Sequence, residues 1–292
     1  MTYSVIMRDD DTGRFGVAVQ SHWFGVANIV PWVEHGVGAV ATQSLAEPLY
    51  GPRGLALMRD GVGATTALEQ LLDDDETPHV RQVAMVDADG TVAVHTGSGC
   101  VAHASHVSGD GWSVQANMMR DERVVPAMAA VAETAAGPIA DRLFAVLRAA
   151  EEAGGDLRGS QSAAILVTGD GPVPSLRLSV DDHPDPITEL RRLLEIRRMY
   201  DDMEAGDAAL ADGDLARAAV AFDRAAGSPH VHPEVLFWQA HGLANVGEYD
   251  RAAAIMRRAV AANADLDTLL DRVTAAGLLD IERAAALRDA MR

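Results

Sequence analysis

The second residue of the chain, Thr2, has side-chain chemistry that suits a nucleophile. A small residue after the initiator is what methionine aminopeptidase accepts, so removal of Met1 leaves a hydroxyl and a free α-amine on one residue. An N-terminal threonine can attack a carbonyl carbon with its own amine as the base. The α-amine has an ordinary pKa of about 7.7–8, close enough to neutrality to accept a proton during turnover. Thr2 is therefore a candidate catalytic residue, although threonine is also a common second residue with no such role.

The residues around Thr2 are predicted to form a β-hairpin. An apolar run from Thr2 leads into a polar turn at residues 9–13, and a second apolar run returns through Gln20 and Ser21. The simplest register of the two strands places Thr2 opposite Gln20, with His22 on the same face. A register shifted by one residue places Ser21 there instead, so Gln20 and Ser21 are joint candidates.

The composition restricts the class of protein. The chain has 292 residues, 48% of them hydrophobic, which is enough for one large or two modest domains. It has no run of about 20 apolar residues and no basic, apolar signal segment, which predicts a protein that does not enter a membrane. Its single cysteine favours the reducing cytoplasm. One cysteine excludes an internal disulfide framework. The net charge of −19 argues against nucleic acid as a partner.

All 24 basic residues are arginine, and the chain contains no lysine. Without lysine, Schiff-base chemistry, anchoring of pyridoxal phosphate and a phosphate-loop lysine are excluded. Arginine can bind carboxylates, but it stays protonated near neutral pH and cannot act as a general base.

The order of predicted elements indicates an α+β fold. Two strand pairs come first, two helices follow over residues 51–72, and further strands run from residue 80 to about residue 117. Two more helices are predicted at 124–133 and 139–152, and a last strand pair extends to residue 180. This order, in which strands alternate with pairs of helices and strands come first and last, is that of a four-layer α-β-β-α sandwich.

Several motifs along residues 1–190 together resemble those of the domain of unknown function 1028 family. They are Thr2-Tyr3-Ser4, Gly16-Val17-Ala18-Val19-Gln20-Ser21-His22, Ala41-Thr42-Gln43-Ser44, Tyr50-Gly51-Pro52-Arg53-Gly54, Gly109-Asp110-Gly111, Gln115-Ala116-Asn117-Met118 and Gly155-Asp156-Leu157-Arg158-Gly159-Ser160-Gln161-Ser162-Ala163-Ala164. That family resembles a proteasome-like branch of the N-terminal nucleophile (Ntn) hydrolases. The resemblance implies an Ntn-hydrolase sandwich, with Thr2 at the nucleophile position.

Proteasome-like roles carry over only in part. Gln20, Ser21 or His22 fall where the proteasome-like pattern has an acid followed by serine, and the active-site lysine of that pattern has no counterpart here. His22 or Arg158 are candidates for its electrostatic role, and histidine alone of the two can titrate near neutral pH. The resemblance also implies that Asp156 and Ser162 support the terminal amine. The alternative is a structural role, in which Asp156 caps a loop between a helix and a strand.

Other residues are candidates for binding the substrate or stabilising an oxyanion. Gln43 and Ser44, at the end of a predicted strand, and Asn117 can offer backbone or side-chain amides to a developing negative charge. Glu47 can orient an amine or a water molecule, and Arg53 can bind an anionic group. The alternative for Asn117 is a buried amide with a purely structural role. The alternative for Glu47 is a carboxylate on the surface with no role in binding.

No metal site and no bound cofactor are predicted. His103 and His106 in a strand point to opposite faces, which does not suit a shared metal ion. His230 and His232 lie in a predicted loop beside a proline. Cys100, in an apolar strand context without a motif, is interpreted as a core thiol.

The chain is predicted to change character after a proline-punctuated linker at residues 181–186. This divides it into an Ntn-like domain, residues 1–186, and an all-α region, residues 187–292. There the pattern starting at Gly213 recurs at Gly247, 34 residues later, which is the period of tetratricopeptide repeats. Two such repeats and a terminal helix fall short of the three repeats usually needed for a stable module, so the region is expected to pack against the first domain or a second subunit. Its predicted role is binding of a peptide or protein partner, and packing in a homo-oligomer is the alternative.

The function predicted from these residues is hydrolysis of a small amide or a peptide by Thr2. The scattered arginines and the acidic surface favour a small anionic amide or peptide. The alternative is a non-enzymatic function, in which the N-terminal region is an Ntn-like scaffold without catalytic activity and the repeats bind partner proteins. A third hypothesis keeps Met1 in place and uses His22 with a water molecule or an internal serine.

Overall fold

Two antiparallel β-sheets make up the centre of the N-terminal region in the computed structural model, which describes residues 2–292. In chain order the strands are β1 (Thr2–Arg8), β2 (Phe15–Ser21), β3 (Pro31–Glu34), β4 (Gly38–Ser44), β5 (Arg81–Asp87), β6 (Val92–Thr96), β7 (Ser105–Gly109), β8 (Trp112–Asn117), β9 (Ser162–Val167) and β10 (Leu176–Val180). The larger sheet has the order β10-β9-β2-β1-β8-β7, and the smaller has the order β3-β4-β5-β6.

Two pairs of helices cover these sheets. Helices α1 (Tyr50–Arg59) and α2 (Ala64–Asp73) pack on the smaller sheet, and α3 (Val124–Thr134) and α4 (Ile139–Glu152) pack on the larger one. Short 3-10 helices lie at Val26–Asn28 and Pro78–Val80.

The side chains between the two sheets form a core of alternating strand residues. The members that are fully enclosed there include Ile6, Phe15, Val17, Val19, Ala39, Ala41, Ala84, Val86, Ala164 and Leu166. Two of the intervening residues of β2, Gly16 and Ala18, are small, and α4 packs against β2. A Cβ atom added at Gly16 would come within 2.5 Å of Leu143 Cδ1. Gly16 therefore leaves the room that α4 needs to pack against β2.

The internal contacts of the chain divide it into two compact units, with the division between Arg191 and Arg192. The sequence predicted a division after residue 186, and helix α5 (Pro186–Ala211) begins at that residue.

The second unit, Arg192–Arg292, is helical throughout. After α5 come α6 (Leu215–Ala226), α7 (Pro233–Asn245), α8 (Tyr249–Ala262), α9 (Asp265–Ala275) and α10 (Ile281–Met291), with a shared apolar core that includes Phe222, Phe237 and Met256. The prediction of a single terminal helix is wrong, since α9 and α10 form a third helix pair. Gly213, Gly247 and Gly277 follow the first helix of each pair with φ of 75°, 85° and 75°, a backbone conformation that favours glycine.

The prediction of an α+β chain with a β-rich N-terminal region and a helical C-terminal region is confirmed. Within residues 2–292 we find no helix whose length and apolar character would let it cross a membrane.

Candidate active site at the end of the larger sheet

Four polar residues form one row across the end of the larger sheet. Thr2 in β1 pairs with Asn117 in β8 on one side and with Ser21 in β2 on the other. Ser21 in turn pairs with Ser162 in β9. All four side chains are buried, and Thr2 is the most exposed of them at 5%. The row places the hydroxyl of Thr2 between an amide and two further hydroxyls.

The closest contact in this row joins two hydroxyls. Thr2 Oγ1 and Ser21 Oγ lie 3.0 Å apart and share a hydrogen bond in which either oxygen can donate. Such a contact can orient the Thr2 hydroxyl and can relay its proton. It brings together two of the residues that the sequence singled out.

The register that places Gln20 opposite Thr2 is wrong, and the shifted register is the one observed. The turn is longer by one residue, because Arg8 pairs with Phe15 and the Asp9 N–H donates to the Arg14 carbonyl at 2.8 Å. Gln20 consequently pairs with Tyr3 on the face opposite to Thr2. It is fully buried there, and neither polar atom of its amide has a hydrogen-bond partner among the described residues.

The carbonyl of Thr2 is held by two buried amides. The Gln43 Nε2 group donates to Thr2 O at 3.3 Å, and the Asn117 Nδ2 group donates to the same oxygen at 3.4 Å. Both amides also donate to Gln82 Oε1, at 2.7 and 3.0 Å. Their N–H groups therefore fix the backbone of Thr2 in this structure.

Gln82 is the centre of a wider amide network that lies between the sheets. Its Nε2 group donates to the Ala116 carbonyl and to Thr96 Oγ1, both at 2.9 Å. Ser4 Oγ donates to Gln43 Oε1 at 2.7 Å and accepts from Gln115 Nε2 at 2.6 Å. Buried polar groups are costly unless paired, so this network favours a single arrangement of the strands around Thr2.

Ser4, Gln82 and Gln115 were not predicted from the sequence as parts of this arrangement. Each is a polar residue inside an otherwise buried strand. A polar residue at a position that alternation assigns to the core is a signal that could have identified them.

A cavity of about 330 Å³ opens beside Thr2 and Ser21. Its other lining residues come from the segment after β2, from the end of β4 and from the start of β5; they are Trp23, Val26, Ile29, Val30, Gln43, Ser44, Leu45, Ala46, Pro48 and Arg81. Ser44 has φ of 74°, a conformation that costs free energy for a residue other than glycine and that occurs often at functional sites. Gln43 and Ser44, both predicted for this site, thus line the cavity that Thr2 faces.

Arg81 is the cation in the wall of this cavity, and it is paired with a carboxylate. Its Nε and Nη2 groups donate to Asp75 at 2.7 and 3.2 Å, and its Nη1 group donates to the Leu45 carbonyl at 2.5 Å. The hydrogen bonds from Arg81 hold the pKa of Asp75 well below its usual range. Tyr50 also donates to Asp75, at 3.0 Å, and burial is the main reason that the pKa of Tyr50 is raised.

Asp156 supports the end of β2 from behind the row. The buried carboxylate accepts from the His22 N–H at 3.3 Å and from the Arg158 N–H at 2.8 Å, and it forms an ion pair with the Arg158 guanidinium at 3.2 Å. Because His22 directly follows Ser21, Asp156 fixes the chain next to the row. Ser162 lies in the row itself, and its hydroxyl donates to the Trp23 carbonyl.

Two predicted substrate-binding residues lie away from Thr2. Glu47 and Arg53 line a different cavity of about 390 Å³, and neither lines the cavity beside Thr2. Arg53 forms an ion pair with Asp74 at 2.6 Å, and Glu47 accepts from the Leu49 N–H at 3.0 Å. The structure therefore does not place Glu47 and Arg53 in the cavity beside Thr2.

Cys100 is half-buried and donates from its thiol to the Arg81 carbonyl at 3.3 Å. Among residues 2–292, no three His, Cys, Asp or Glu side chains come together in a way that could hold a metal ion.

The chain matches the family described as Family of unknown function (DUF1028) over residues 2–190, and it belongs to that family. It is also similar to the crystal structure of protein SPO2555 from Silicibacter pomeroyi, which is assigned to DUF1028. The two are 30% identical with a TM-score of 0.62, and the match covers 66% of this chain and 84% of the other. No protein with a curated description matches the chain.

Proposed function

We propose that this member of the DUF1028 family is an N-terminal-nucleophile amide hydrolase whose nucleophile is Thr2. The observation that carries the proposal is the 3.0 Å contact between Thr2 Oγ1 and Ser21 Oγ at the wall of a cavity. The hydroxyl of Thr2 is thereby oriented and reaches a space that a substrate can occupy. Met1, whose removal the proposal requires, lies outside the described residues.

The proposed reaction proceeds through an ester of Thr2. Thr2 Oγ1 attacks the carbonyl carbon of the amide while its proton passes to the α-amine, directly or through Ser21. The tetrahedral intermediate collapses, the C–N bond breaks, and the leaving amine takes that proton. A water molecule, deprotonated by the same α-amine, then hydrolyses the ester, which releases a carboxylic acid and restores the threonine hydroxyl.

The neighbours of Thr2 have distinct roles in this proposal. Gln43 and Asn117 hold the Thr2 carbonyl, so they position the nucleophile. Ser44, at the cavity wall, is the candidate to stabilise the oxyanion through its backbone N–H or its hydroxyl. Asp156 keeps the chain after Ser21 in place.

The arrangement of layers supports placing the N-terminal region among Ntn hydrolases. A helix pair, a sheet, a second sheet and a second helix pair follow one another, and β1 lies inside the larger sheet. Because the chain has no lysine, the α-amine is the base in this proposal. Activity should therefore rise with pH to a plateau above about pH 8, as the amine loses its proton.

The helical unit supports a second and separate proposal, a protein-binding role for a tetratricopeptide-like module. Its helix pairs are joined at Gly213, Gly247 and Gly277, and the first two glycines keep the 34-residue spacing of such repeats. The partner in this proposal is another protein or a second copy of the chain.

Intact mass and covalent labelling together test the hydrolase. The mass of the protein from its native host should lack one methionine residue, and a β-lactone should add to that processed chain. Thr2→Ser should keep part of the labelling because it keeps a hydroxyl, and Thr2→Ala should abolish it. An N-terminal extension should be as damaging as Thr2→Ala without lowering thermal stability, because it blocks the amine.

The exposed Thr66→Ala change on α2 is the matched control and should label as the wild type does. A retained Met1, or labelling that persists in Thr2→Ala or that depends on His22 or Cys100, would contradict the proposal.

A further inference from the structure

We propose that the cavity beside Thr2 binds a neutral, apolar acyl group, so that the substrates are amides of uncharged aliphatic or aromatic carboxylic acids. This inference rests on the proposed hydrolase function and specifies its substrate class. It departs from the small anionic substrate that the composition favoured.

The walls of the cavity are mostly hydrocarbon. Apart from Thr2, Ser21 and the polar groups at its edge, the lining is supplied by Val26, Ile29, Val30, Leu45, Ala46 and Pro48. Among the described residues that line it, none is an aspartate or a glutamate. Apolar walls with few polar groups are typical of sites that recognise an apolar ligand by burial.

The size of the cavity suits a short acyl group. Its volume of about 330 Å³ lies at the lower end of the range for small-ligand sites. Since the acyl group stays covalently bound to Thr2 while the amine leaves, the acyl group is the part that the cavity must hold.

The side-chain charges around the cavity give an anion little attraction. Arg81 lines the wall, but both the Nε and Nη2 groups of its guanidinium are engaged by Asp75, and Nη1 donates to a carbonyl. Asp75 therefore already balances the positive charge of Arg81 in this wall. The net charge of −19 further opposes the approach of anions.

The mouth of the cavity also exposes apolar surface. Trp23 and Leu45 both line the cavity, and they are 58% and 64% exposed. Phe24, next in the chain to Trp23, is 67% exposed. Large apolar side chains exposed beside a cavity are a feature of binding sites, and they extend the apolar wall toward solvent.

A series of N-acyl p-nitroanilides tests the proposal on the processed, full-length protein. The acyl groups are acetyl, propanoyl, butanoyl, pentanoyl and succinyl; the last two are matched in size but differ in charge. We expect kcat/KM to rise about fourfold for each added methylene, since each buried methylene contributes a constant transfer free energy. Succinyl should be at least tenfold poorer than pentanoyl. A flat series or a preference for succinyl would overturn the inference.

Two leucine variants locate the effect at the cavity. Leu45→Arg adds a cation at the cavity wall and should reverse the preference between pentanoyl and succinyl. Leu49→Arg adds the same charge at a similarly exposed leucine that does not line this cavity, and it should leave the preference unchanged. Equal effects of the two variants would contradict an acyl site at this cavity.

A binding measurement separates this inference from the hydrolase proposal. In the Thr2→Ala protein, pentanamide should shift the fluorescence of Trp23, whereas succinamate at the same concentration should not. The shift should disappear in Thr2→Ala with Trp23→Phe. If pentanamide binds but the wild type hydrolyses none of the anilides, the hydrolase proposal is rejected and the apolar site is kept. If the wild type hydrolyses the anilides and prefers succinyl, the hydrolase proposal is kept and the apolar site is rejected.

Discussion

The hydroxyl of Thr2 lies 3.0 Å from that of Ser21 because the two residues face each other across neighbouring antiparallel strands. The strand pairing fixes both Cα positions, so the contact does not depend on a mobile loop. Ser21 is only 1% exposed, so its side chain is held by the surrounding protein, while both residues line the cavity. A preorganised pair of this kind is what proton transfer from a nucleophile requires.

Ser21→Ala should lower kcat of the hydrolase by about tenfold to a hundredfold, because Thr2 loses the group that orients its hydroxyl or relays its proton. The acyl preference should stay unchanged, since the apolar walls of the cavity remain. Steady-state kinetics on the p-nitroanilide series measures both. Ser179→Ala, an exposed change in β10, should have no effect. An unchanged kcat in Ser21→Ala would remove Ser21 from the mechanism.

Gln82→Leu should lower the free energy of unfolding by about 3 kcal/mol, because it leaves the amides of Gln43 and Asn117 buried without their shared acceptor. Urea unfolding followed by circular dichroism measures this change. Gln239→Leu is the matched control, since Gln239 is a buried glutamine whose Oε1 lacks a partner among the described residues. It should cost less than about 1 kcal/mol. Similar costs for the two variants would argue against the network as a stabilising unit.

Asp75→Asn should destabilise the protein at pH 7 by about 2 kcal/mol and make its stability less sensitive to acid. The pKa of Asp75 is lowered by Arg81 in the folded protein, so the pair stabilises the fold above the unfolded pKa of about 4. That contribution is lost as the pH falls from about 4 toward the lower folded value. The difference between wild type and variant should therefore shrink below pH 4.

Unfolding by urea at pH 7, 4 and 3 measures this effect. Asp74→Asn, which removes an exposed pair with Arg53, is the control and should change stability by less than about 0.5 kcal/mol. A difference for Asp75→Asn that does not vary with pH would show that the ion pair is not its cause.

A chain that ends after Tyr200 should fold, because the unit that ends at Arg191 has apolar cores of its own. We expect a cooperative thermal transition by circular dichroism and a change in oligomeric state or partners relative to the full chain, measured by light scattering. An unfolded product would mean that the two regions depend on each other for folding.

The sequence by itself determined the elements and the identity of the nucleophile candidate. Alternation and helical spacing predicted the strands and helices of the first region because the apolar pattern of each element is local. The motif at Thr2 and the pattern from Gly213 to Gly247 could likewise be found without a structure. The third helix pair was missed because Gly277 lies outside that 34-residue spacing.

Only the tertiary structure decided which polar residues meet. The register of β1 and β2 depends on one additional residue in the turn, and a shift of one residue exchanges Gln20 for Ser21 beside Thr2. Gln82, far from Thr2 in the chain, reaches the site only because the two sheets pack face to face. Arg53 and Glu47 line a separate cavity. Their position depends on the packing of α1 against the smaller sheet, which is a long-range contact that local sequence patterns do not encode.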